Sequence, residues 1–226
     1  MAYNEKDFIQ AVEKSFKMYE LHGARSTSKL LSIHKYMANV LLDIFGADHN
    51  VFYLGDKAKG DTTKEKKVEG KYYPKNIDIT ITKGKNPIFC LGIKFVTSNY
   101  KQNANNYFEN MMGETANIQR ANIPYAHLII LRQKTPYYKR SKTISKWETI
   151  DDHDIKKYSE LMFDITQAHK PIALAIPIIN IDTKGKISFD NLTDFSVATQ
   201  TIISSKLSIK NLIDEITSYS IHLKIR

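Results

Sequence analysis

Three isoleucines, Ile77, Ile79 and Ile81, alternate with Asp78, Thr80 and Thr82, the period-two pattern of a β-strand. Lys83-Gly84-Lys85-Asn86-Pro87 then reads as a turn, and Ile88 to Val96 as the second strand of a hairpin. A helix is expected over residues 101–121, where Phe108, Met111, Met112 and Ile118 recur on one side and Asn122 and Pro124 end the run. Ala126 to Leu131 reads as a buried strand. A hairpin pairs its strands antiparallel, whereas a crossover helix pairs them parallel. This segment therefore demands a mixed sheet.

The flanks extend an α/β pattern. Helices are expected over residues 4–21 and from about Ser26 to Phe45, with Ser26, Thr27 and Ser28 as N-caps and Gly46 as the stop. A short strand follows over residues 51–54, then a Lys- and Gly-rich loop or irregular hairpin over 55–75. Further on, residues 151–165 and 206–221 read as helices and 171–182 as a buried strand. No repeat or linker interrupts the chain. One domain over 1–226 is expected: an α/β core at about 28–131, with a mixed central sheet flanked by helices, and a C-terminal extension at about 132–226.

Composition narrows the function classes. A hydrophobic fraction of 42% argues against global disorder. The net charge of +9 suits a polyanionic partner. No signal peptide, lipidation motif or long apolar run is evident, so a cytoplasmic protein without membrane partners is expected. The single cysteine, Cys90, lies in an apolar run, which excludes an intrachain disulfide and a thiolate zinc cluster. The 7 histidines form no metal-like pair, and His34, His127 and His169 are read as structural or surface residues. The 13 tyrosines come without the Arg/His set of a recombinase.

Asp78 and Lys94 are the residues most able to carry chemistry. Paired strands would place them on one sheet face, where the carboxylate can bind Mg²⁺ and the ammonium can orient a water and offset phosphoryl charge. The plainer alternative is an Asp–Lys ion pair on the sheet. The next helix offers two further acids, Glu109 and Glu114, on opposite flanks of its apolar stripe. Helical geometry does not choose between them.

The order of helix, strand, Asp-bearing strand, Ile-Lys strand, helix and strand resembles the PD-(D/E)XK nuclease core. In that family an acid two residues before the Lys shares the metal; here that position is Gly92. One branch of type II restriction endonucleases carries the second acid on the following helix instead. Gln102-Asn103-Ala104-Asn105 and Glu114-Thr115-Ala116-Asn117-Ile118-Gln119-Arg120 are similar to its helix motif, with about two extra turns between them. The resemblance covers roughly residues 28–131. It implies Asp78, Lys94 and Glu114 as catalytic residues, with Glu109 as the fallback. Asp78, Glu114 and the carbonyl of Ile93 would be the Mg²⁺ ligands.

The implied function is a type II restriction endonuclease, cutting double-stranded DNA at a specific sequence as a homodimer. Alternatives are a repair or mobile-element nuclease of the same fold, or a DNA-binding module inactivated at Gly92. Lys101, Asn103 and Asn105 open the helix beside the site and are candidates for DNA contact. So are Lys134, Lys139, Arg140 and Lys142, in an acid-free stretch interleaved with Tyr137, Tyr138 and Trp147.

Overall fold

The computed structural model describes residues 3–23, 26–139, 141 and 143–225. Two N-terminal helices, α1 (Glu5–His22) and α2 (Leu31–Phe45), precede the first strand, β1 (Asn50–Tyr53). A 3-10 turn over Thr27–Leu30 leads into α2, and Gly46 ends it at φ 91°, a conformation that costs a β-carbon-free residue little. Then come β2 (Lys66–Glu69), β3 (Pro74–Ile77), β4 (Ile79–Lys83), β5 (Asn86–Val96), α3 (Tyr100–Gln119) and β6 (Tyr125–Arg132). The chain continues through β7 (Lys134–Tyr138), β8 (Ile144–Thr149), α4 (Asp152–Phe163), β9 (Leu174–Ala175), β10 (Ile178–Ile181), β11 (Ile187–Phe189), α5 (Val197–Ser204) and α6 (Ile209–Ile225).

The central sheet runs β1-β4-β5-β6-β10-β11, with β9 also paired to β6. β4 pairs antiparallel with both β1 and β5, β5 and β6 are parallel through the α3 crossover, and β10 continues parallel to β6. This is the expected mixed sheet. Helices cover both faces. Phe89, Leu91, Ile93 and Phe95 of β5 pack with α1, α2 and α6, while Val96, Ile129 and Leu131 pack with α3, α4 and α5. Because both faces are covered, Thr80 and Thr82 are buried alongside Ile79 and Ile81.

Residues 55–75, read as a loop or irregular hairpin, contain the β2–β3 hairpin. Three segments differ from the sequence reading. The basic stretch forms a second hairpin, β7–β8. The expected strand at 171–182 divides into β9 and β10 around Pro177, which has no N–H to give a ladder. Helix α5 was not anticipated. Strands from the C-terminal third pair with β6, so that region completes the sheet. Among the described residues no helix is long and apolar enough to cross a membrane.

Leu128 lies fully buried at the centre of the sheet. Leu128→Ala should lower the unfolding free energy by about 3 kcal/mol, within the usual range for a core Leu truncation, as measured by urea denaturation. A loss within about 0.5 kcal/mol, typical of surface positions, would contradict this core.

Candidate active site

Asp78 occupies a bend where the chain passes from the small β2–β3 hairpin into the central sheet. The β4–β5 register pairs Ile79 with Leu91, so Asp78 stands across from Gly92. Its Oδ2 accepts a hydrogen bond from the backbone N–H of Ile93 at 2.7 Å. Lys94 is the one exposed residue between Leu91 and Val96. Its ammonium makes no direct ion pair among the described residues and acts on Asp78 through space. The plain Asp–Lys contact therefore does not form.

Gly92 lies beside His127 in the parallel β5–β6 pairing. A β-carbon on Gly92 would stand 2.7 Å from the Tyr125 hydroxyl and 2.8 Å from His127 Nδ1. An acid side chain is thus excluded at this position by the ring and the hydroxyl that fill it. The second carboxylate comes from α3. Glu114 accepts a hydrogen bond from the Tyr125 hydroxyl at 3.3 Å and forms an ion pair with Lys75 of β3. Asp78, Gly92, Lys94, Glu114 and His127 line one cleft of about 20 Å³, room for about one water or small ion. Glu109 is exposed and does not line this cleft, so the structure brings Glu114 rather than Glu109 to Asp78.

The electrostatics mark a crowded set of charges. Burial pushes the Asp78 carboxyl above the ordinary carboxylate range and the charge of Glu114 adds to the shift, while His34, the Ile93 N–H and Lys94 oppose it. Lys66 pairs with Ile77, so the same register carries Glu65 towards Asp78. Burial and then the Asp78 charge raise the Glu65 carboxyl. Burial lowers Lys29, and Lys94 adds to that effect. His34, 1% exposed, brings Nε2 to 3.9 Å from Asp78 Oδ1, and neither ring nitrogen has a hydrogen-bond partner.

His127 is pulled down to about 3 by burial, with Lys94 and Lys75 contributing. Its ring is therefore neutral at physiological pH. The Thr115 hydroxyl donates its only proton to the carbonyl of Met111 at 2.7 Å, so in the 3.0 Å contact with Thr115 it is His127 Nε2 that donates. Nδ1 is left as an acceptor beside Gly92.

Two carboxylates and the Ile93 main chain are compatible with Mg²⁺, which takes one or two protein carboxylates and completes its shell with waters and phosphate. Among the described residues no cluster of three or more His, Cys, Asp or Glu is placed to hold a metal, so Asp78 and Glu114 carry the fit alone.

None of Lys101, Asn103, Asn105, Lys134 and Lys139 lines the cleft. Lys101 pairs with Asp151 at 2.7 Å and Asp154 at 3.3 Å. The Asn103 amide donates to the carbonyl of Asn99, and Asn105 accepts from Lys157. These three groups thus have partners within the protein. Lys134 and Lys139 are exposed on and just after β7, whereas Arg140 and Lys142 lie outside the described residues. At the end of β6 Arg132 lies over the rings of Phe16 and Trp147, and within the β7–β8 hairpin Lys146 pairs with Glu148.

Sequence reasoning missed Lys75, Tyr125, His127 and Glu65. Lys75 and Glu65 lie in the segment read as a loop or irregular hairpin. The register that brings His127 beside Gly92 was the one available signal for the ring.

Gly92→Ala should cost about 1–3 kcal/mol of stability by overpacking, and adding Tyr125→Phe should recover part of the loss in urea melts. Full stability of Gly92→Ala would show that the space is open. Asp78→Asn removes a charge held at a raised pKa and keeps an oxygen for the Ile93 N–H. In EDTA it should melt above wild type at pH values beyond that raised pKa. The gain should shrink as pH falls through that pKa and vanish below the ordinary carboxylate range, where Asp78 is protonated in both folded and unfolded chains. A lower melting temperature at neutral pH would contradict the assignment.

Comparison with protein-family models, with curated proteins and with solved structures found no match to this chain.

Proposed function

We propose that the chain is a Mg²⁺-dependent endonuclease of double-stranded DNA, a type II restriction enzyme with a PD-(D/E)XK-like core whose second acid is supplied by α3. The observation that carries this reading is the convergence of Asp78, Lys94 and Glu114 on one cleft while Tyr125 and His127 fill the space above Gly92. The strand order β1-β4-β5-β6, antiparallel as far as β5 and parallel beyond it, supports the fold assignment. The net charge of +9 supports the polyanionic substrate.

Asp78 and Glu114 would hold the ion, with the Ile93 carbonyl as a third ligand. When bound there, Mg²⁺ supplies Lewis-acid neutralisation of phosphoryl charge and makes water a better nucleophile. The Ile93 N–H fixes the Asp78 carboxylate, which needs no reorganisation when substrate arrives. Tyr125 and Lys75 orient Glu114. Lys94, exposed at the cleft, donates to the attacking water and to a non-bridging phosphate oxygen. Water adds to phosphorus in line and releases a proton to solvent, the bond from phosphorus to the 3′-oxygen breaks, and the leaving oxygen takes up a proton from solvent. A palindromic target would be read by a homodimer, with one cleft per strand.

Purified protein incubated with unmethylated phage DNA should give discrete fragments with Mg²⁺ and none with EDTA. Asp78→Ala, Lys94→Ala and Glu114→Ala should each abolish cleavage with folding largely intact, and Glu114→Ala should weaken Mg²⁺ binding. Activity retained in the Asp78 or Lys94 variant would remove the site assignment. Intact DNA with bound protein in all conditions would leave a DNA-binding module.

A further inference from the structure

Between β2 and β3 the chain turns through Gly70, Lys71, Tyr72 and Tyr73, with Glu69 paired to Pro74 at its base. Both tyrosines point outward, 65% and 49% exposed. Adjacent exposed aromatics on a turn leave apolar faces in water, and a flexible turn could fold them back. This turn is not free to do so. The buried Asn117 of α3 accepts from the backbone N–H of Tyr72 at 2.9 Å and of Tyr73 at 3.3 Å, and donates to the Tyr73 carbonyl at 2.9 Å. The Lys71 N–H donates to the Asn117 carbonyl at 2.8 Å. A β-carbon on Gly70 would lie 2.2 Å from the Asn117 amide, so the approach requires glycine there. The backbone is thus fixed from α3 while the rings stay outside.

Charge around the turn indicates what the rings meet. The Arg120 guanidinium lies 6.0 Å from the centre of the Tyr72 ring, and Lys67 and Lys71 are exposed, against one exposed acid, Glu69. Flat apolar faces in a basic setting match a polyanion that offers flat faces of its own, which describes nucleic acid. Tyr73 lies five residues before Asp78, about 17 Å along extended chain. That distance spans about five stacked base steps at 3.4 Å each. Asn117 follows Glu114 by less than one helical turn, so the same helix positions the rings and the acid.

We propose that Tyr72 and Tyr73 form a stacking platform for bases unpaired from the duplex a few steps from the phosphate held at the cleft. This inference rests on the nuclease reading and extends it with a contact surface that bears no catalytic group.

The test is fluorescence anisotropy of a labelled mixed-sequence DNA duplex with single-stranded ends in EDTA, where binding proceeds without cleavage. Wild type should bind. The Tyr72→Ala/Tyr73→Ala double variant should bind about tenfold or more weakly with the same salt slope, since no phosphate contact is removed. The Tyr72→Phe/Tyr73→Phe variant should bind like wild type. Unchanged binding in the alanine double variant would overturn the platform and leave the nuclease reading intact. An equal loss in the phenylalanine variant would also overturn it, because the contact would then run through the hydroxyls. Absence of binding by wild type to any duplex tested would overturn the platform together with the nuclease reading.

Discussion

The hydrogen bond from the Ile93 N–H to Asp78 fixes the point at which two sheets meet. Immediately before Asp78 the chain belongs to the β2–β3 hairpin; immediately after it, to the central sheet. The carboxylate satisfies a main-chain donor of β5 at that junction, and so couples a side-chain charge to the backbone of the central strand. A bend there without such an acceptor would leave a buried donor unpaired, at a cost of about 1–3 kcal/mol. The acid is therefore part of the architecture as well as of the cleft.

The cleft collects like charges that a purely structural region would keep apart. Asp78, Glu65 and Glu114 approach one another on the acidic side, and Lys29 and Lys94 on the basic side, with His34 and His127 buried nearby. Among the described residues Glu114 pairs directly with a lysine, Lys75, while Asp78 has His34 at 3.9 Å. Such an arrangement costs folding stability and leaves charge available for a ligand, which is the usual reason for its persistence at functional sites.

The legible part of the fold was the part written in short-range pattern. The alternation through Ile77, Ile79 and Ile81, the turn at residues 83–87 and the crossover helix fixed a mixed sheet, and with it the approach of Asp78 to the strand of Lys94. The glycine at position 92 was legible as a missing acid, but its cause was not, since Tyr125 and His127 reach it only through parallel pairing. Residues 55–75 showed no periodicity because the order of β2–β3 comes from Asn117, more than 40 positions away, whose amide replaces turn chemistry. Asn117 and Arg120 were noted as parts of a motif, and in the structure they brace the hairpin tip. The break at Pro177 was visible in the sequence and was overridden by the apolar run around it.

Strand β6 carries Tyr125 and His127 and is flanked by β5 on one edge and by β9 and β10 on the other. Every residue lining the cleft has been synthesised by Ile129, yet the strands that cover the outer edge of β6 arrive some 45 to 50 residues later. During translation the complete set of cleft-lining residues is thus attached to a sheet with an open, apolar parallel edge, the kind of edge that recruits other strands. The timing of chain emergence, rather than the chemistry of the cleft, sets when the nascent protein becomes safe from aggregation. A chain divided after β6 would carry that exposed edge permanently.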